Sequence, residues 1–158
     1  MKDLSNSIST ALSHKVAVTT AASNGTGVDL QGYESATVVV SAGAEGDTLA
    51  ANLNFQIGLE HSDDDSTYTD CVQADIVDGT IAADGVFLIM DGTGTAGTGG
   101  NPDTVGMTYR VGYRGGKRYI RTTIAKTGTH STGTPLGTMV IKGNARHTGD
   151  NAFDAHNV

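Results

Sequence analysis

The amino-acid sequence predicts an all-β protein: an antiparallel, jelly-roll-like β-sandwich in a single domain with an N-terminal arm. Short runs rich in Val, Ile, Thr and Tyr recur along the 158 residues, with turn residues between them. The 22 glycines and two prolines indicate many tight turns. Only the first fourteen residues show helical periodicity. We therefore predict an N-terminal docking arm at 1–14, a β-sandwich domain at 15–146 and a C-terminal tail at 147–158.

The arm is defined by Leu4, Ile8 and Leu12, which recur every four residues among Ser, Thr and Asn. This spacing fits a short amphipathic helix, or an extended segment whose apolar residues dock on a neighbouring molecule. A frayed terminus is the alternative, because an isolated helix this short is marginal in water.

The body of the chain alternates strand and turn patterns. In residues 53–61, Phe55, Ile57 and Leu59 alternate with polar residues or glycine, which predicts a half-buried strand. The other predicted strands lie at 15–20, 28–33, 36–41, 67–72, 86–90 and 136–146.

Residues 108–124 predict a β-hairpin around the pair Gly115 and Gly116. Glycine adopts positive φ without steric cost, and the flanking runs are β-branched and aromatic. Alternation places two sets of side chains on single strand faces: Tyr109, Val111 and Tyr113, and Ile120, Thr122 and Ile124.

Half of the ten basic residues lie in this segment: Arg110, Arg114, Lys117, Arg118 and Arg121. A two-residue loop would set Arg110 opposite Arg121, and a three-residue loop would set Arg114 opposite Arg118. Both registers oppose like charges, so the register stays open. A solvated strand face is one interpretation. The other is a basic patch that meets an acidic protein surface.

The net charge of −7 is unevenly distributed. Residues 1–109 hold fifteen acidic and two basic residues, and residues 110–158 hold two acidic and eight basic residues. An acidic chain is repelled by nucleic acid and anionic membranes, so we expect neither as a partner. Separate acidic and basic surfaces would favour pairing with copies of the chain or with another protein. Interleaved strands that mix the charges are the alternative.

No motif predicts catalysis, a cofactor or a small-molecule substrate. Residues 92–97 match the letters of GxGxxG. Dinucleotide binding needs a helix directly after this motif, but the next residues include Gly99, Gly100 and Pro102, which cannot begin a helix. The acidic run at 63–65, with Asp70, predicts a structural turn rather than a calcium site.

The five histidines show no zinc-binding spacing, and the only cysteine, Cys71, is expected to be a small core residue. The lone cysteine excludes an intrachain disulfide. No signal peptide or transmembrane run is visible, so we expect synthesis and folding in a reducing cytoplasm.

Three stretches together resemble the capsid decoration, or cement, proteins of tailed bacteriophages. They are NGTGVDLQGY at 24–33 with the strand at 36–40, LEHSDD at 59–64 with STYTD at 66–70, and YRVGYRGGKRYIR at 109–121. Their order is similar to that of the family from about residue 1 to 146. The loop at 91–103 has no counterpart in the family pattern.

The resemblance implies a homotrimeric virion protein, made in the host cytoplasm, that binds the outer capsid surface and cements adjacent major-capsid subunits. Its expected interface residues are Leu4, Ile8, Leu12, Arg110, Arg114, Lys117, Arg118 and Arg121. The alternative is a carbohydrate-binding adhesion module of a phage head or tail, although the chain has no Trp for stacking on sugars. Neither function is enzymatic.

Overall fold

The computed structural model describes residues 7–93, 99–100 and 106–146, and these form a β-sandwich, as predicted. A single-turn 3-10 helix at Gln73–Asp75 interrupts the strands. In chain order the strands are β1 (Ile8–Thr19), β2 (Ser23–Asn24), β3 (Val28–Asp29), β4 (Tyr33–Ala42), β5 (Asn54–Ser62), β6 (Thr69–Asp70), β7 (Ile76–Val77), β8 (Val86–Met90), β9 (Gly99–Gly100), β10 (Met107–Tyr113), β11 (Tyr119–Thr127) and β12 (Thr134–Ala145).

Two sheets make up the sandwich. The five-stranded sheet has the order β1-β12-β4-β10-β7. The seven-stranded sheet has the order β2-β11-β5-β8-β9, with β3 also paired to β11 and β6 to β5. All pairings are antiparallel except the short parallel contact of β8 with β9. The chain changes sheet at the connections β1–β2, β3–β4, β4–β5, β6–β7, β7–β8, β9–β10, β10–β11 and β11–β12.

The core lies between the inward faces of the two sheets. Phe55, Ile57 and Leu59 of β5 are fully buried, as their alternation predicts. Val38 and Val40 of β4 face them from the other sheet and are also fully buried. This period-two burial is what a sheet with one dry face requires. The core is one contiguous cluster, so the sandwich is one domain.

The predicted hairpin at 108–124 is wrong, because its two strands do not pair with each other. The prediction of which side chains point inward is largely right. Strand β10 pairs with β4 and β7, whereas β11 pairs with β5, β2 and β3 in the opposite sheet. Neither Arg–Arg register therefore occurs. Val111 and Tyr113 of β10 and Ile120 of β11 all point into the core, but from opposite sides.

The Gly115–Gly116 pair explains this difference. Neither glycine has the positive φ that a tight hairpin turn needs. Instead the chain passes closely over the ring of Tyr113, where a Cβ at Gly115 would lie 2.5 Å from the hydroxyl oxygen. The Tyr113 hydroxyl accepts a hydrogen bond from the Lys117 backbone N–H at 3.1 Å. Gly115 thus allows a close crossing between sheets.

The predicted arm is partly a strand. Ile8 pairs with Gly143 and Leu12 with Met139, so β1 begins six residues before the predicted domain boundary at residue 14. Extended backbone is favoured there because β12 offers a partner edge along its length. Leu4 and the predicted tail at 147–158 lie outside the described residues.

A buried polar seam joins β1, β11 and β12 inside the sandwich. The hydroxyl oxygens of Thr122 and Thr138 lie 2.6 Å apart, and His14 Nδ1 lies 2.9 Å from the Thr122 hydroxyl. The Ser13 hydroxyl accepts the Thr122 backbone N–H at 3.0 Å. Register shifts in β1 on both sides of His14 turn these side chains inward.

We predict that the stability of the fold falls as pH falls below about 6.5, because burial lowers the pKa of His14 from its ordinary value of 6.5. The unfolded chain then binds more protons than the folded one, so protonation favours unfolding. The measurement is the urea-derived free energy of unfolding at about pH 7.5 and about pH 5.5. His14→Gln should remove much of the difference, and an unchanged difference would contradict the assignment.

Candidate functional site

The outward side of the five-stranded sheet carries many apolar side chains, interspersed with Thr10, Thr37, Ser41 and Thr108. Cross-strand partners share a face, so the strand registers define its members. Leu12, Val16, Val18 and Val77 are 43%, 69%, 62% and 45% exposed, respectively. We call this surface the apolar face, and its apolar members are Ile8, Leu12, Val16, Val18, Val39, Val77, Pro135, Met139 and Ile141.

A close approach of β1 to β12 shapes this face. A Cβ at Gly137 would lie 2.5 Å from Val16 Cγ2 and 3.0 Å from Val16 Cα. Glycine at this position therefore lets Val16 lie directly over β12. The exposed valines of β1 thus continue the surface formed by Met139 and Ile141.

Arg110 is the one charged residue that the described strand pairings place on the apolar face. It lies opposite Val39, which in turn lies opposite Met139, with Leu12 beyond. Within the described part of the chain, Arg110 forms no hydrogen bond or ion pair. It borders a depression of about 220 Å³ that Val77 and Asp78 also line. Its guanidinium is therefore available to an external acceptor.

The structure places the described sequence-predicted interface residues at three separate locations. Ile8, Leu12 and Arg110 come together on the apolar face. Arg114, Lys117 and Arg118 line a groove at one end of the sandwich. Arg121 lies on the outward side of the other sheet, and Leu4 is outside the described residues. The eight residues therefore do not form one continuous patch.

The groove has a volume of about 720 Å³ and lies between residues 30–36 and 113–118. Arg118 forms a bidentate ion pair with Asp29, with Nε–Oδ1 at 3.0 Å and Nη2–Oδ2 at 2.7 Å. This contact lowers the pKa of Asp29. Lys117 pairs with Asp63. The basic charge of the groove is therefore largely matched by neighbouring acids.

Arg114 has a structural contact rather than an ion pair. Its Nε donates to the Ala74 carbonyl at 2.8 Å, and its backbone N–H donates to the Asp75 carbonyl at 2.8 Å. Arg114 therefore holds the 3-10 helix against the end of β10.

Arg121 belongs to a half-buried cluster on the seven-stranded sheet. Its Nε lies 2.6 Å from Glu60 Oε2, directly across the strand pair, and its guanidinium lies 3.8 Å from the centre of the Tyr68 ring. These contacts bring acids from the first part of the chain onto bases from the last part. The interleaved alternative for the charge asymmetry thus holds at Asp29, Glu60 and Asp63.

The acidic run at 63–65 is a hydrogen-bonded turn. Asp64 Oδ1 accepts the backbone N–H groups of Ser66 at 3.0 Å and Thr67 at 2.8 Å. These bonds lower the pKa of Asp64. Asp65 accepts the Tyr68 hydroxyl. The structural role predicted from the sequence accounts for these carboxylates.

A second cluster lies inside the sandwich, beside the groove. His61, Cys71 and Asp75 bring potential ligand atoms within 4.8 Å of one another. His61 Nδ1 lies 3.1 Å from the Tyr113 hydroxyl. Burial, with nearby carboxylates, raises the pKa of the Cys71 thiol, and burial also raises the pKa of Tyr113 to about 12.

Sequence reasoning missed this cluster because its spacing matches no standard ligand motif. The three residues converge only because β6 folds back onto β5 and the chain then turns into the 3-10 helix. His14 and His130 lie elsewhere in the sandwich. His130 stacks on Phe55, with ring centroids 4.0 Å apart.

Comparisons with family models, curated proteins and solved structures found no match. No helix among the described residues is long and apolar enough to span a membrane.

We predict that Arg121→Ala lowers the free energy of unfolding by about 1–2 kcal/mol, since it removes a charged hydrogen bond and a cation–π contact. The matched change Arg110→Ala should alter it by less than about 0.5 kcal/mol, because Arg110 contributes no such contact. Chemical denaturation of the two variants checks this contrast. Equal losses would mean that Arg110 has a structural role.

Proposed function

We propose that this protein is a structural component of a tailed-phage head that binds the outer capsid surface and cements adjacent major-capsid subunits. The observation that carries the proposal is the apolar face. Exposed apolar side chains that span several strands are typical of protein–protein interaction surfaces. The resemblance of residues 24–40, 59–70 and 109–121 to decoration proteins supplies the biological setting.

Arg110 sets an electrostatic requirement on any partner that covers the apolar face. A docked surface would remove the Arg110 guanidinium from water, and burying it unpaired is costly. Two copies of this face stacked on each other would bring two Arg110 side chains together, and each copy would also offer Asp78, which lines the same depression as Arg110. On the proposed capsid partner, we expect a docking surface that is apolar and carries a carboxylate opposite Arg110.

The carbohydrate-binding alternative gains no support from the described aromatic side chains. Tyr113 is buried, and Tyr33, Tyr68, Tyr109 and Tyr119 are half-buried. Tyr68 and Tyr119 are in addition covered by Arg121 and Arg118, respectively. Sugar-binding surfaces generally present aromatic faces to solvent. Specific retention on a glycan array would favour that alternative.

We further propose that the chain works as a homotrimer, as the resemblance implies. A 37% apolar fraction makes a lean core, and subunit contacts add stability by mass action. We predict a trimer mass in sedimentation equilibrium of the full chain, with a melting temperature that rises with protein concentration. A concentration-independent monomer would overturn this part of the proposal.

We predict that Arg110→Glu weakens rebinding to heads assembled without this protein by at least about 30-fold, since it places a carboxylate opposite the partner's carboxylate. Lys126→Glu is the matched control, because Lys126 is exposed on the seven-stranded sheet. It should bind within about threefold of the wild type. Quantitative co-sedimentation with the heads gives both affinities.

Circular dichroism of both variants should match the wild type, which separates lost binding from lost folding. Deletion of residues 1–14 is unsuitable, because it would remove half of β1 and the Ser13 contacts. Deletion of residues 1–6 tests Leu4 while it leaves β1 whole. If Arg110→Glu and Lys126→Glu bind equally well, the apolar face is not the docking surface.

A further inference from the structure

The His61, Cys71 and Asp75 side chains come from three separately anchored segments. His61 is in β5, where it pairs with Thr69 of β6 and Ile120 of β11. The Cys71 backbone N–H donates to the Leu59 carbonyl at 3.0 Å. Asp75 ends the 3-10 helix, which Arg114 holds from the other side. These contacts fix the backbone of the three segments, and Asp75 Oδ2 in addition accepts the Val72 backbone N–H at 2.9 Å.

The combination of ligand atoms is chemically selective. One imidazole nitrogen, one thiolate sulfur and one carboxylate oxygen suit a borderline divalent ion such as Zn²⁺, whereas Ca²⁺ and Mg²⁺ prefer oxygen alone. Zinc bonds of about 2.0–2.3 Å place tetrahedral ligands about 3.5 Å apart. The 4.8 Å spread of the cluster would close by about 1 Å.

The surroundings also favour a cation. The carboxylates of Asp75 and Asp70 act on the Cys71 thiol, and that of Glu60 acts less because Arg121 pairs with it. The 3.1 Å contact between His61 Nδ1 and the Tyr113 hydroxyl orients the imidazole ring, as hydrogen-bond partners of metal-bound histidines do. Asp75 is only partly buried, whereas Cys71 is fully buried, so Asp75 is the ligand of the three that is nearest to solvent.

We propose that His61, Cys71 and Asp75 form a binding site for a divalent transition-metal ion of the zinc class, with a water molecule as the fourth ligand. On binding, the Cys71 S–H bond breaks, its proton goes to solvent, and the sulfur lone pair binds the metal. The ion would fasten residues 71–77, which cover this end of the sandwich, to β5. This role is structural and independent of capsid binding.

Because Cys71 is the only cysteine in the chain, the test can use wild-type protein. We predict that Co²⁺ added to the tag-free full chain produces a thiolate-to-cobalt charge-transfer band that saturates at one ion per chain. Added Zn²⁺ should abolish the band. The only thiolate that can give this band is Cys71, so the assignment requires no variant.

Three variants refine the test. His61→Gln should weaken Co²⁺ binding by about 100-fold or more, and Tyr113→Phe, which loses only the orienting hydroxyl, by about 10-fold. Asp84→Asn is the control that keeps all three ligands and every carboxylate that acts on Cys71, and it should retain the band at one ion per chain. The absence of a charge-transfer band in wild-type protein at stoichiometric Co²⁺ would overturn the proposal, as would metal binding without the band.

Discussion

The contact between the inward faces of β4 and β5 is the constraint on which the rest of the structure depends. Val38 and Val40 from one sheet meet Phe55, Ile57 and Leu59 from the other, and all five are fully buried. With a 37% apolar fraction and no tryptophan, the chain has few other large side chains with which to hold two sheets together. Each sheet therefore buries its more apolar face in this layer. The opposite side of the five-stranded sheet is still apolar, and this excess indicates an external use.

Local pattern predicted much of this fold. Period-two alternation identified the buried residues of β5 and the inward faces at Val111, Tyr113, Ile120 and Ile124, because burial on one face depends only on spacing along the strand. The same local pattern could not predict which strands pair with each other. Gly115 fits a hairpin turn and a close crossing over Tyr113 equally well by composition, and only the three-dimensional position of Tyr113 distinguishes them.

The site shows the same division between local and long-range information. The sequence predicts Leu12 and Arg110 individually as interface residues, and this prediction stays untested. Their placement in one row with Met139 and Val39 depends on three strand registers that join distant parts of the chain.

The cluster of His61, Cys71 and Asp75 had no usable signal, because its spacing follows the turn of this particular fold. The separation of acidic and basic residues along the sequence does not produce separate acidic and basic surfaces at these positions, because Asp29, Glu60 and Asp63 pair with basic residues from the last part of the chain.

The pairing of β1 with β12 has a consequence for how the protein is made. Ile8 cannot meet Gly143 until almost the whole described chain has left the ribosome, so the surface formed by these two strands does not exist on a nascent polypeptide. Such distant pairing makes folding slow, because a long loop must close before the contacts stabilise it. During that delay the half-made sandwich exposes the free edge of β4 to aggregation. The sheet and its apolar face are therefore completed together, only after β12 has been synthesised.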